Sequence, residues 1–258
     1  MNTSMNIAAV GLRAYQQKLD SISNNIANVD TTGYKSRDAS FSENLATSIM
    51  NQPNPQREVG RFTPFGIRTA YGTRIGLTNV DLSQGQPKET GNAYDFMLEG
   101  NGFFQVQRGT GNSRQIMYTR DGAFQLSSVG GNTFQLVNGN GDVLLDRNGN
   151  PIRLNNTTDF KVLPNGTISG SGQQIGIVQI SNPQLLTGEG GVFSLNGNGT
   201  VTLDPNTQVK QGYLEGSNVD INQEMTDLVK IQRGYQANAR ALSYADQMMG
   251  ISNSIFRG

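Results

Sequence analysis

Apolar residues at the two ends of this 258-residue chain repeat with the same period. From Met5 they continue at Ala8, Leu12, Tyr15, Leu19, Ile22, Ile26 and Val29, an alternating spacing of three and four held for nearly four heptads. That is the narrow seam of a coiled coil rather than a broad core face. The spacing predicts a helix over 5–29, a rod of roughly 38 Å at ~1.5 Å per residue. It should end near Asp30-Thr31-Thr32-Gly33, where Gly33 can take the left-handed conformation that closes a helix.

The C-terminal end carries the matching pattern. Ile221, Leu228, Tyr235, Leu242, Met249 and Phe256 recur every seven residues, with Met225, Ile231, Ala239 and Ala245 beside the stripe. Asp220 followed by Gln223 reads as a capping pair, so a helix is expected over 221–255, roughly 52 Å long. Gly234 inside it costs about 1 kcal/mol relative to Ala and marks an expected close backbone approach. Two helical ends of equal period are expected to pair with each other.

Neither helix is strong alone. Small or polar residues interrupt both seams: Ala8, Tyr15 and Ala239 within them, Asn24, Asn25, Asn28, Gln232, Asn238 and Asn253 beside them. Burial at ~25 cal/mol/Å² on such side chains barely offsets ~1–2 kcal/mol of backbone entropy per residue. Two sources of further burial stay open: the chain's own middle domain, or neighbouring copies against which the helices finish folding.

The middle reads differently. FMLEGNGFFQVQ (96–107) and IMYTRDGAFQL (116–126) have strand composition around Gly-rich breaks, and Asp121-Gly122 is a turn signal. Further Asn-Gly pairs follow at 138–139, 140–141, 148–149, 165–166, 196–197 and 198–199, with short runs DVLL, FKVL, IGIVQI, VFSL and TVTL between them. Strands at that spacing predict an antiparallel barrel or sandwich. The fold class is therefore α+β: long terminal helices pairing as a coiled coil around a central β-rich domain. The expected division is an N-terminal helix at 1–35, a linker with extended segments at 36–75 carrying Pro53, Pro55 and Pro64, the β domain at 76–214, and a C-terminal helix at 215–258.

Composition narrows the chemistry. The chain has no Cys and no His, which excludes thiol nucleophiles, histidine bases and the usual zinc sites. Twenty basic and twenty acidic residues cancel, leaving no global field to favour nucleic acid or anionic lipid. No apolar run approaches the ~20 residues of a membrane span, so lipid insertion is not expected. The N-terminus lacks a basic leader and Arg13 interrupts its apolar stretch, unlike a cleavable secretory signal. Only 16 % of residues are charged, against 32 Gly and, by count, 28 Asn and 21 Gln, a makeup suited to tight turns and hydrogen-bonding surfaces.

Candidate sites are weak. Asp81, Glu89, Asp95 and Glu99 offer acids near strands, but no spacing singles out a glycosidase pair and there is no Trp platform. The run Asp142 to Asn150 resembles a calcium loop, yet Gly149 falls too early for it and Thr157 stands where the loop needs Glu, so hairpin turns explain it better. Gly100-Asn101-Gly102 opens no helix and is a poor dinucleotide motif. No catalytic residue, cofactor or metal is expected, and the chain reads as a non-enzyme.

Three stretches carry a resemblance. SNNIANVDTTGYK (23–35), then YDFMLEGNGFFQVQ (94–107) with MYTRDGAFQL (117–126), then GYLEGSNVDINQEMTDLVKIQRGYQANARAL (212–242) are similar, in order, to the signatures of the bacterial flagellar rod and hook axial family. Asp30 and Tyr34 stand where that pattern often has Asn and Phe, and Gly234 where Ala is usual. A chain of this length with one β domain resembles the distal-rod branch; the proximal rod or a short hook-like protein is the alternative within the family, and a secreted adhesin or carbohydrate-binding β protein the alternative outside it.

The resemblance implies a structural subunit, exported unfolded through the flagellar export apparatus and added at a growing tip. It implies a helical homopolymer in the flagellar basal body, with the terminal helices forming an inner tube, and with other rod proteins, the hook protein and surrounding ring proteins as partners. The candidate assembly interface is Met5, Leu12, Tyr15, Leu19, Ile22, Ile26, Val29, Ile221, Leu228, Ile231, Tyr235, Leu242 and Met249. Of the helical surface outside the intrachain seam, Ile231 and Met248 are expected to meet adjacent subunits.

Overall fold

The computed structural model describes residues 3–43, 46–49, 67–70, 73–109, 114–131, 133–155, 160–169, 171–181, 186–189, 191–195, 201–204 and 206–257. It is an α+β protein in two compact units. A helical unit comprises Met1–Asn24, Asp38–Thr78 and Asn222–Gly258, and a β unit comprises Asn25–Arg37 and Asn79–Ile221. The prolines at 53, 55 and 64 and the Asn-Gly pairs at 196–199 lie outside the described residues.

The helical unit holds α1 (Thr3–Ala27, its last residues counted with the β unit) and α2 (Ile221–Arg257), close to the spans set by the heptad spacing. Between them in sequence come β1 (Arg37–Glu43), β2 (Ala46–Ile49), β3 (Ile67–Ala70) and β4 (Thr73–Val80). These make two ribbons, β1 with β4 and β2 antiparallel to β3. Among the described residues, Ala8, Ala14, Ile22, Ala39 and Ala245 are its buried apolar side chains. Small residues dominate that list, as expected where backbones approach closely.

The β unit contains β5 (Pro87–Glu89), β6 (Phe96–Glu99), β7 (Phe103–Arg108), β8 (Gln115–Thr119), β9 (Phe124–Gly130), β10 (Thr133–Asn138), β11 (Val143–Leu144), β12 (Arg153–Leu154), β13 (Ile177–Ile180), β14 (Leu186–Glu189), β15 (Val192–Leu195), β16 (Val201–Leu203), β17 (Gln208–Gln211) and β18 (Tyr213–Glu215). Ten strands form one antiparallel sheet in the order β12-β10-β11-β7-β8-β15-β14, with β9 on β10 and β13 joining β7 to β16. Two small ribbons, β17 with β6 and β18 with β5, complete the unit.

The expected barrel is not what forms. The sheet's path ends at β12 and β14, and no pairing among the described residues closes it. The reason lies in strand length: one edge of β7 is shared between two-residue contacts with β11 and with β13, so the sheet branches there instead of curling round. Alternation along the central strands then buries both faces. Phe104, Val106, Met117, Ile177 and Val192 point into one core, and Phe103, Tyr118, Val178 and Phe193 into the other.

Candidate assembly helices and the buried ion cluster

Within the helical unit α1 and α2 touch at two places one turn apart. A Cβ on Gly11 would lie 2.7 Å from Asn238 Nδ2, and a Cβ on Gly234 would lie 2.9 Å from the Tyr15 ring. Residue numbers rise along α1 as they fall along α2, so the helices run antiparallel. Gly234, expected to mark a close approach because a glycine inside a helix is costly, lies against the Tyr15 ring. The same Tyr15 ring meets Phe41 of β1 edge-on, with centroids 5.5 Å apart, and Lys18 pairs with Asp38 beside it.

The structure distributes the candidate interface residues unevenly. Ile22 is buried; Met5, Leu12, Tyr15, Leu19, Leu228, Ile231, Leu242 and Met249 are half-buried in the helical unit, and Ile26 and Val29 in the β unit. Ile221 and Tyr235 are 41 % and 37 % exposed. A strict seven-residue repeat on a 3.6-residue helix drifts about 20° per heptad, so not every member faces the seam. On α2 the side chains of Met225, Val229, Tyr244, Met248 and Ile251 are exposed, Met248 to 64 %.

In the β unit, charges that spacing alone did not single out converge on Glu215. Lys35 Nζ donates to Glu215 Oε1 at 2.5 Å and to the Ser83 carbonyl at 2.7 Å. Arg120 Nη1 donates to Glu215 Oε2 at 3.2 Å, and Nη2 to the Gly100 carbonyl at 2.7 Å. The Gly85 amide adds a 2.9 Å bond to Oε1. Glu215, Lys35 and Arg120 are each 1 % exposed as residues. The Arg120 guanidinium also lies 5.0 Å over the Phe103 ring, a cation–π contact, and its buried Nε has no partner among the described residues. Burial pushes the Lys35 ammonium below its ordinary value, and Glu215 pulls it part of the way back.

Hydrogen bonds extend from this cluster to the segments that leave α1 and enter α2. The Gly33 amide donates to the Glu215 carbonyl at 2.8 Å, and Gly33 holds φ at 66°. No side chain fits there, because a Cβ would lie 2.4 Å from the Asp121 nitrogen. The Ser36 amide donates to Asn218 Oδ1 at 2.8 Å, while Asn218 Nδ2 donates to the Asp81 carbonyl at 2.9 Å. Asn25, in the last turn of α1, accepts from the Tyr34 hydroxyl and the Arg37 amide through Oδ1 and donates to the Arg37 carbonyl.

Asp142, Asp146, Glu99 and Asp81, weighed for calcium or for catalysis, have structural partners. Asp142 is held by Arg108 at 2.8 and 2.9 Å, and Asp146 Oδ1 caps the turn at Asn148 and Asn150. Glu99 lies 3.8 Å from Lys210, and Asp81 accepts from the Ser83 amide. No group of three metal-ligating side chains occurs among the described residues, and no described helix is long and apolar enough to cross a membrane.

Lys35, Arg120 and Glu215 fall one in each of three stretches that match known families. Residues 5–35 match the family described as "Flagella basal body rod protein", 97–170 the "Flagellar hook protein FlgE/F/G D1 domain", and 210–255 the "Flagellar basal body rod FlgEFG protein C-terminal". The chain is 36 % identical to the flagellar hook-basal body complex protein FlhP of Bacillus subtilis, over 99 % of this chain and 100 % of that one. The chain belongs to the flagellar rod and hook axial protein family. Other members of the axial family align over most of their length: the flagellar basal-body rod protein FlgG of Agrobacterium fabrum at 33 % identity over 95 % of this chain and 96 % of its own, and that of Bacillus subtilis at 31 % over 93 % of each. Axial proteins are structural, not enzymes.

Proposed function

We propose that this chain is a structural subunit of the flagellar basal-body rod, of the distal type, and that it polymerises into a hollow helical shaft carrying torque from motor to hook. Full-length similarity to basal-body rod proteins supports this reading. The observation that carries it is the set of apolar side chains that α2 leaves exposed, Met225, Val229, Tyr244, Met248 and Ile251, on a helix that meets α1 at Gly234 and Asn238. Exposed apolar residues on a long helix are what interhelical packing between copies would cover.

In the polymer, α1 and α2 extend their antiparallel contact into a coiled coil lining the channel, and the candidate interface residues divide between that seam and neighbouring subunits. Other rod proteins, the hook protein, the export apparatus and the rings around the rod are the remaining partners. A second reading, a short hook-like protein at the rod's end, draws on the similarity to a hook-basal body complex protein.

The test is Met248→Asp, expressed in a strain lacking the native gene. The soluble subunit should keep the parent's unfolding midpoint, because the side chain is exposed, while rods in purified basal bodies should lack it. Normal incorporation would refute the interface. Electron microscopy of basal bodies separates the two readings, since a distal rod subunit is found along the shaft and a hook-like one only at its end.

A further inference from the structure

The contact between α1 and α2 holds few register-specific fits. Leu228, Leu242 and Met249 of the seven-residue stripe are half-buried, so sliding α2 by one heptad keeps apolar residues along it and loses chiefly the fit of Gly234 to the Tyr15 ring and of Gly11 to Asn238. Ala8, Gly11 and Ala14 on α1 and Ala239 and Ala245 on α2 offer little shape to oppose such a slip. A slip of seven residues moves one helix by ~10.5 Å along the other. Yet the observed contacts share one register, Gly11 with Asn238 and Tyr15 with Gly234.

That register can be counted from the helix ends. Twelve residues separate Tyr15 from Ala27, the last residue of α1, and twelve separate Asn222, the second residue of α2, from Gly234. Sixteen separate Gly11 from Ala27 and sixteen Asn222 from Asn238. The two paths are equal at both contacts, as they are when two antiparallel helices begin level.

What could hold the beginnings level is the hydrogen-bonded joint inside the β unit. Residues 33–36, just after α1, meet residues 215–218, just before α2, through the Gly33–Glu215 main-chain bond, the Lys35–Glu215 ion pair and the Ser36–Asn218 bond, all between 2.5 and 2.8 Å. Joints of that length do not accommodate a shift of a whole heptad. The three ionic side chains are closed to solvent, and both Glu215 oxygens are occupied, so the cluster is not a ligand site. Fixing register is the best-attested use of a buried polar or ionic group.

We propose that the Lys35–Glu215–Arg120 cluster, with Asn218, is a register clamp: it fixes the roots of the two helices and thereby sets which residues of α1 and α2 face each other. Glu215 and Lys35 are positioning residues that act on the seam through the chain. The inference concerns one chain's own helices and does not depend on the rod assignment.

Because the chain has no Cys, introduced pairs report register without ambiguity. In the full chain, Gly11→Cys with Asn238→Cys should form a disulfide, whereas Gly11→Cys with Ala245→Cys or with Ile231→Cys, one heptad either way, should not. Adding Lys35→Met, Arg120→Met, Glu215→Leu and Asn218→Ala should cost much of the first cross-link and raise the slipped ones to comparable yield, with circular dichroism confirming that the strands remain. If the 11–238 pair still dominates in that folded variant, the clamp is refuted. A second arm avoids any loss of folding. Tyr15→Ala, with the cluster intact, should leave the 11–238 cross-link unchanged; slipped cross-links there would place the register in the seam itself and overturn the proposal.

Discussion

Lys35 and Glu215, 180 residues apart in sequence, form a 2.5 Å ion pair in which neither side chain is more than 1 % exposed. Such a pair gains little against an apolar equivalent but is costly to break, because the surviving charge stays buried. Here one carboxylate serves two cations, which makes the asymmetry larger.

Glu215→Ala should therefore destabilise the β unit by about 3–5 kcal/mol. Replacing all three charges together, Lys35→Met, Arg120→Met and Glu215→Leu, should give a chain at least as stable as the single variant by several kcal/mol, since no buried charge is left unpaired. Urea unfolding of both variants checks this; equal midpoints would mean that the ions are not the main cost.

Gly234→Leu should destabilise the helical unit even though Leu is the better helix former by nearly 1 kcal/mol, because the new side chain meets the Tyr15 ring. Tyr15→Ala should relieve that penalty. A double-mutant cycle on helix unfolding is expected to give a coupling of about 0.5–3 kcal/mol, and additivity would show that the two residues do not share space.

Asp121 supplies a pH prediction. Burial raises its carboxyl above the ordinary 3.8, against the pull of bonds from the Ala123 amide and the Thr32 hydroxyl, and Asp95 adds to the rise. The folded chain then binds this proton more tightly than the unfolded chain, so the group's contribution to stability falls as pH rises from 3.8 through the raised value. Asp121→Asn keeps both hydrogen-bond acceptor roles and removes the charge. It should be more stable than the parent at neutral pH, with the difference vanishing well below 3.8. Thermal unfolding across that range measures it, and a variant less stable at neutral pH would contradict the assignment.

Much of this was legible in the residues. Heptad spacing placed both helices, and Asn-Gly and Asp-Gly pairs placed the breaks between strands. Gly33, expected to close the first helix, instead lies six residues past Ala27 and uses its positive φ where its amide meets the Glu215 carbonyl. Gly234 stood out as a close approach because nothing else justifies a glycine there. The open sheet was not legible, since turn spacing says where strands end and not that β11 and β13 share one edge of β7. Nor was the Glu215 cluster. A buried Lys, Arg or Glu looks in sequence like any solvated charge, and the three positions meet only once the chain has folded back across 180 residues.

The order in which strands find partners has a consequence in time. β5 and β6 lie early in the β unit, yet their ladders are completed by β18 and β17, at its end. A polypeptide delivered from its N-terminus holds Lys35 without an acid until residue 215 arrives. Closure of the β unit therefore requires nearly the whole chain, because β5, β6 and Lys35 all wait on residues 208–215.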